Sequence, residues 1–540
     1  MIHQRLLRNE AFQISTVANT RVPSLKASGM QTHKITPIAN LLGRHGSSHM
    51  LLGMLVVLPT GNLAISDLTG TIALDLSHAV VIPDDSAWFT PGMIVLVDGC
   101  YEQEEEMTGK GLNSSSGVGG TIGGRFQAFF IGQPPCEKRR ATLGVSGPDG
   151  GPDHTIGGGF GWVDFLGVGS ERAVGTRMRR LEHKLLLQPS LADPAAPPWR
   201  GRVVLLGELA LDQPRSLQAL KKILGLYATD PEGTSPMTFV LTGNFTTHAV
   251  MARGATGGSI EYKEFFDALA STLADYPTLL TTSTFVFVPG DNDGWVSAFG
   301  GGASVPLPRN PIPSLFTSRV RRVFATANTE AGLDSRDGAG GEAIWTTNPS
   351  RLSLFGPVHE IVLFRDDISA RLRRSAVRLK KKKSDEPQSQ SPEDGDDAIM
   401  TGANPTAAAT GEDAMEVDDN ENDSPGPRAK AQTQIPKKDA IPSDVHAARK
   451  LVKTILDQGY LAPFRNATRP VHWDYTGALH LYPLPTAIML VDTTAPTFCV
   501  TYEGCHVMNP GSVLMTGRKG VARWVEYEVG RTGKVRECTF

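Results

Sequence analysis

Thr284-Phe285-Val286-Phe287-Val288-Pro289-Gly290-Asp291-Asn292-Asp293-Gly294-Trp295 is an apolar, β-branched and aromatic run that stops at Pro-Gly and passes into short polar residues. This pattern predicts a buried strand running into a tight loop at a sheet edge. In open α/β sheets such loops are where ligands bind. Two earlier runs end in the same way: Val203-Val204-Leu205-Leu206-Gly207-Glu208 in an acid, and Phe239-Val240-Leu241-Thr242-Gly243-Asn244 in Gly-Asn. Three strand ends, each with an oxygen-bearing side chain just past the apolar residues, are expected to converge on one rim.

That order resembles the skeleton of the calcineurin-like metallophosphoesterases, whose patterns Asp-x-His, Gly-Asp-x-x-Asp, Gly-Asn-His-Asp/Glu and Gly-His-x-His hold two metals. Such ligands are needed because two divalent ions must bridge a hydroxide and clamp phosphate oxygens. Here the first motif is replaced by Glu208-Leu209-Ala210, the second by Gly243-Asn244, and the third by Gly290-Asp291-Asn292-Asp293, without its histidine. In place of the last stands Val491-Asp492-Thr493-Thr494-Ala495. The expectation is a surviving scaffold with no catalytic residues, no metal and no cofactor. Glu208, Asn244, Asp291, Asn292 and Asp293 are then vestigial metal positions.

The chain of 540 residues is long enough for several domains. Its 40% hydrophobic and 20% charged residues are an ordinary globular mixture. A net charge of −3 gives no electrostatic case for wholesale nucleic-acid binding. The cysteines, Cys100, Cys136, Cys499, Cys505 and Cys538, are scattered, odd in number and without a Cys-x-x-Cys, which argues against a disulfide framework or a zinc site. The apolar run at 50–58 is too short to span a membrane, and neither anchor nor signal peptide is expected.

Residues 1–45 read as a partly helical N-terminal segment. Residues 46–143 carry about five short strands separated by turns (50–58, 63–66, 71–76, 93–99 and 125–132), the pattern of a small OB-type barrel. An acidic run at 102–106 and few interleaved cations favour protein docking over single-strand binding. Residues 144–200 are a Gly/Pro-rich linker; the glycines at 156–161 lack a following Gly-Lys-Ser/Thr, and one basic helix is expected at 177–187. The α/β domain occupies 201–370 and resumes at 443–540, interrupted by a basic, then acidic, disordered insertion at 371–442. Lys380 to Lys383 within it fit a nuclear import signal or a solvated charge run. After the insertion a helix stopped by Gly459 is expected, then strands at 479–482, 487–491, 498–502 and 523–529. His506 reads as a packed or surface histidine.

An OB-like barrel ahead of a phosphoesterase core with decayed motifs resembles the B subunits of replicative DNA polymerases, those of DNA polymerase epsilon most of all. The likeness is carried by Leu52-Gly53-Met54-Leu55, the stretch from Asp67 to Ser77, Leu211-Asp212-Gln213, Leu241-Thr242-Gly243-Asn244-Phe245, the stretch 285–290, Thr346-Thr347-Asn348-Pro349, Phe364-Arg365-Asp366-Asp367, Val452-Lys453-Thr454-Ile455-Leu456 and Asn509-Pro510-Gly511-Ser512. The resemblance implies a multidomain protein of α+β and α/β type, an OB-type barrel followed by a phosphoesterase-type sandwich with a degenerate metal site. It implies a non-catalytic subunit in the nucleus that binds the C-terminal domain of the polymerase's catalytic subunit. It would also contact other polymerase subunits and the replicative helicase assembly, and reach DNA mainly through the complex. Epsilon-type members carry a small helical N-terminal domain, which this chain starts too late to contain. The alternative is an active metal-dependent phosphoesterase or nuclease.

Overall fold

The run at Thr284–Val288 is a strand buried at every residue, as a strand covered on both faces must be. The computed structural model describes residues 1–12, 33–83, 85–103, 120–142, 201–229, 237–251, 258–294, 305–333, 340–354, 359–379 and 442–540. The linker, its glycine run and its expected helix, residues 104–106 of the acidic run, Trp295 and the insertion from 380 lie outside the described residues.

In the N-terminal part, α1 (Ile2–Arg8) and short 3-10 turns precede six strands: β1 (Ser48–Val57), β2 (Leu63–Ser66), β3 (Thr71–Asp75), β4 (Val80–Val81), β5 (Ile94–Glu102) and β6 (Thr121–Gly132). Their order is β3-β2-β1-β5-β6-β4, and a parallel β3–β6 pairing closes the sheet into a barrel. The sixth strand, beyond the five expected, is the two-residue β4. Asp67 organises the β2–β3 turn: one oxygen accepts from the Thr69 and Gly70 nitrogens, the other from the Ile38 nitrogen. The 3-10 turn Ile38–Leu41 thereby delivers Ile38 and Leu41 into the barrel core. A one-turn helix, α2 (Arg139–Thr142), ends this part.

The second part holds two sheets. In the first, β7 (Arg202–Glu208), β8 (Met237–Thr242), β9 (Thr284–Val288) and β10 (Glu342–Trp345) are parallel, as the strand–helix alternation predicts. Antiparallel β16 (Val521–Glu528) and β17 (Lys534–Thr539) extend it to the order β10-β9-β8-β7-β16-β17. The second sheet has the order β11-β12-β13-β15-β14, from β11 (Ser350–Leu354), β12 (His359–Arg365), β13 (Ala487–Val491), β14 (Phe498–Tyr502) and β15 (Cys505–Asn509). Between the sheets pack Leu205, Val240, Val286, Leu363, Met489 and Met508. On the outer face of the first sheet lie α3 (Pro214–Thr229), α4 (Ser259–Ala274), α5 (Pro277–Thr282) and α6 (Ser314–Glu330). The outer face of the second shares one continuous core with α7 (Ile368–Ser375), α8 (Ser443–Gln458) and the barrel.

Three differences from the sequence expectations have physical causes. Residues 371–379, which their basic composition assigns to the disordered insertion, belong to the folded domain: Leu372 is in the core, and the Val377 nitrogen donates to the Phe89 carbonyl. The strand expected at 479–482 is instead the end of the 3-10 helix Trp473–Leu479 and a single bridge between Tyr460 and His480. Pro483 and Pro485 supply no backbone donors there and restrict the residues before them. The long helix α6 has no counterpart among the sequence expectations; its buried stripe, Phe316, Val320 and Phe324, is narrow and set among arginines and threonines.

Candidate functional site

The ends of β7, β8 and β9 meet as predicted, and the polar residues beyond them are tied to one another. Asn244 Nδ2 donates to Glu208 Oε1 at 3.0 Å, and Asn244 Oδ1 accepts from the Asn292 nitrogen at 2.9 Å. Asn292 Nδ2 reaches back to the Thr246 and Thr247 carbonyls, both at 3.1 Å. The loops can approach this closely because Gly243 and Gly290 lack side chains. A Cβ on Gly243 would overlap Asp293 Oδ2 and the Gly290 nitrogen; one on Gly290 would overlap Asn244.

Asp293 is completely buried. Its carboxylate accepts from the Gly290 nitrogen at 2.8 Å, the Phe245 nitrogen at 3.0 Å and the Tyr262 hydroxyl at 3.0 Å. Burial nevertheless dominates, and its pKa is pushed up to about 6 against the pull of those donors and of Arg309. Asp293 is therefore an organiser of the β8 and β9 loops, facing inward.

The remaining carboxylates face arginines. Arg469, fully buried, places Nη2 2.6 Å from Asp291 Oδ1 and 3.2 Å from Asp366 Oδ1. Arg371 grips Asp366 through two bonds, Nε at 3.0 Å and Nη2 at 3.1 Å, and stands 3.6 Å from Asp291. Asp291, Arg469, Asp366 and Arg371 thus form a closed ring of alternating charge. Beside the ring, Arg365 bridges Glu208 Oε2 at 3.0 Å and Asp367 Oδ1 at 3.2 Å, and its Nε donates to the Gly243 carbonyl. Burial works against the Arg365 charge, but Asp367 and Glu208 more than offset it and raise its pKa. Burial raises Asp366 as well, opposed by Arg469 and Arg371.

Where a phosphoesterase would present Gly-His-x-His, Asp492 Oδ2 accepts from the Ser369 nitrogen at 2.7 Å and so satisfies a donor at the start of α7. Asn509, fully buried, holds the neighbouring turn by accepting from the Asp492 and Gly511 nitrogens and donating to the Asp492 and Pro496 carbonyls. His506 is half-buried in β15 and bonded to Thr501 Oγ1 at 2.8 Å, a packed histidine rather than a rim residue. Among the described residues there is no group of three or more His, Cys, Asp or Glu side chains placed to hold a metal ion.

All five sequence-derived rim residues are brought together, but the sequence patterns miss Arg365, Arg371 and Arg469 as partners of Glu208 and Asp291, and Asp366 as the second carboxylate that Arg371 and Arg469 hold. Phe364-Arg365-Asp366-Asp367, three charges directly after an apolar strand, is the available signal: charges at the end of a buried strand need partners. Arg469 offers none.

Residues 203–500 match the family described as the DNA polymerase alpha/epsilon B subunit, and residues 1–135 match the DNA polymerase epsilon subunit 2-like OB-fold domain. The chain is 31% identical to the B subunit of DNA polymerase epsilon from Saccharomyces cerevisiae over 98% of its own length and 66% of that protein. Toward the protein of that name from Eremothecium gossypii the identity is 30%, over 100% of the chain and 69% of the relative. It is 25% identical to DNA polymerase epsilon subunit 2 of Mus musculus, over 96% of the chain and 70% of that protein. The chain spans about two thirds of the length of the curated relatives it matches.

Proposed function

The chain belongs to the family of DNA polymerase alpha/epsilon B subunits, and we propose that it serves as a non-catalytic accessory subunit of the DNA polymerase epsilon complex in nuclear DNA replication. Its barrel is an OB fold, and its paired sheets flanked by helices are read as a phosphoesterase-type sandwich of the calcineurin-like kind, adapted to scaffolding. The partners are then the catalytic subunit, held through its C-terminal domain, the other polymerase subunits and the helicase assembly, with DNA reached mainly through them. No described helix is long and apolar enough to cross a membrane.

The observation that carries the non-catalytic reading is that Asp291, Asp366, Glu208 and Asp367 each pair with arginine. A two-metal centre at the vestigial positions would require the Glu208 and Asp291 oxygens for its cations and an imidazole or water for proton transfer. With guanidinium groups in contact with them, the residues present do not fit a pair of divalent ions. Co-expression with the catalytic subunit of DNA polymerase epsilon tests the assembly: the expected outcome is a stoichiometric complex. Manganese-dependent hydrolysis of a chromogenic phosphodiester, abolished by Asp291→Ala with Asp293→Ala, would overturn the non-catalytic assignment.

A further inference from the structure

The outer surface of the barrel carries apolar side chains where a solvated antiparallel sheet carries polar ones. The pairing register places Met54 beside Ile94, Leu52 beside Leu96 and Gly132, and Met50 beside Asp98, Phe130 and Val80 on the three neighbouring strands β1, β5 and β6 and the short β4. Inward neighbours Leu51, Leu55, Val95 and Val97 are fully buried, so these strands are apolar on both faces. A bulge opposite Asp98 and Gly99 turns Phe129 outward alongside Phe130. Met54 is 44% exposed, Phe129 40%, Phe130 43% and Ile82 55%. None of the outward residues belongs to the three hydrophobic clusters of the fold. At the Met50 end the face runs into a groove of about 470 Å³ whose lining includes His33, Lys34, Arg44 and His49 together with the single carboxylate of Asp98.

We propose that this face, centred on Leu52, Met54, Leu96 and Phe130, is a docking surface for a protein partner that presents apolar side chains bordered at one end by carboxylates. It rests on the accessory-subunit reading and adds to it the surface and the chemistry of the contact. Desolvating a contiguous aliphatic and aromatic patch favours association, and carboxylates beside Lys34 and Arg44 set the orientation. Single-stranded nucleic acid fits less well. Its backbone needs cations along the whole track, whereas the basic residues lie at one end and Asp98 sits within the apolar rows.

The test uses the full chain, alone and co-expressed with the catalytic and remaining subunits of DNA polymerase epsilon. Side-chain footprinting by hydroxyl radicals is expected to modify Met54 and Phe130 readily in the isolated chain and at least tenfold more slowly in the assembly. Leu52→Glu with Phe130→Glu should leave the isolated chain folded and monomeric and weaken assembly at least tenfold; Phe130→Ser, a milder change, should weaken it less. Normal assembly by these variants, or Met54 oxidising equally fast in the complex, would overturn the surface while leaving the accessory-subunit reading intact. Protection already present in the isolated monomer, protection that tracks self-association, or protection conferred by an oligonucleotide would each overturn it too, by assigning the face to another occupant. Failure of the wild-type chain to assemble at all would remove both.

Discussion

The strand-end rim and the outer barrel face are opposite kinds of surface. At the rim, charged residues from distant parts of the chain neutralise one another: Arg469 and Arg371 alternate with Asp291 and Asp366, and Arg365 lies between Glu208 and Asp367. On the barrel, apolar side chains from adjacent strands stand exposed, with Met54, Phe130 and Ile82 all more than two-fifths uncovered. A rim that satisfies its own charges has little left to offer a ligand. A face whose strands are apolar on both sides has yet to be covered. The difference separates what the fold uses to hold itself together from what it leaves for partners.

Removing a cation from the rim should have the largest effect. Arg469→Met leaves Asp291 and Asp366 buried with Arg371 as the one guanidinium between them, and is expected to cost about 3–5 kcal/mol, read as a lowered urea midpoint of the isolated chain. Neutralising the ring as a unit, with Asp291→Asn, Asp366→Asn and Arg371→Met added to Arg469→Met, should recover much of the loss, because no unpaired buried charge remains. If Arg469→Met unfolds at the wild-type midpoint, the rim is an incidental meeting of charges and the contrast with the barrel fails.

A smaller effect separates the inward carboxylate from the ring. Asp293 titrates at about 6 in the folded chain, against 3.8 for an ordinary aspartate, chiefly because it is buried. A folded pKa above the unfolded one means that folding takes up a proton, so the contribution of Asp293 grows as the pH falls through about 6 and is complete below the unfolded pKa. The interval corresponds to roughly 3 kcal/mol as an upper order of magnitude. Urea midpoints at pH 7 and pH 5 should show the wild type gaining more stability on acidification than Asp293→Asn. Comparing the two chains at each pH cancels the histidines and the carboxylates with lowered pKa values, such as Asp67 and Asp367.

The parts legible in the sequence are those written in local patterns. Apolar runs ending in Glu208, in Gly243-Asn244 and in Gly290-Asp291 identify which strand ends meet, and the turns at 59–62 and 67–70 mark the barrel. The partners at the rim are not legible because they are not local. Arg469 reaches Asp291 across 178 positions from a stretch, Arg465-Asn466-Ala467-Thr468-Arg469-Pro470, that has no periodicity. Arg371 is hidden for a related reason: its neighbours are basic, and composition alone cannot distinguish a solvated arginine from one that closes a buried ring. Where the resemblance to phosphoesterases would place histidines the sequence has none, and what stands at those strand ends emerges only when the chain is folded.

The smallest expected effect concerns Met54 on the barrel. Its neighbour Leu55 points into the core and is fully buried, whereas Met54 points outward and lies 44% exposed, opposite Ser66 on one side and Ile94 on the other. A side chain that the fold does not enclose can be shortened without opening a cavity, so Met54→Ala should shift stability by no more than about 0.5 kcal/mol, within the scatter of a denaturation midpoint. A loss of several times that would mean that Met54 is already packed in the isolated chain. The outer face would then belong with the rim among the contacts that hold the fold together, and the contrast between the two surfaces would collapse.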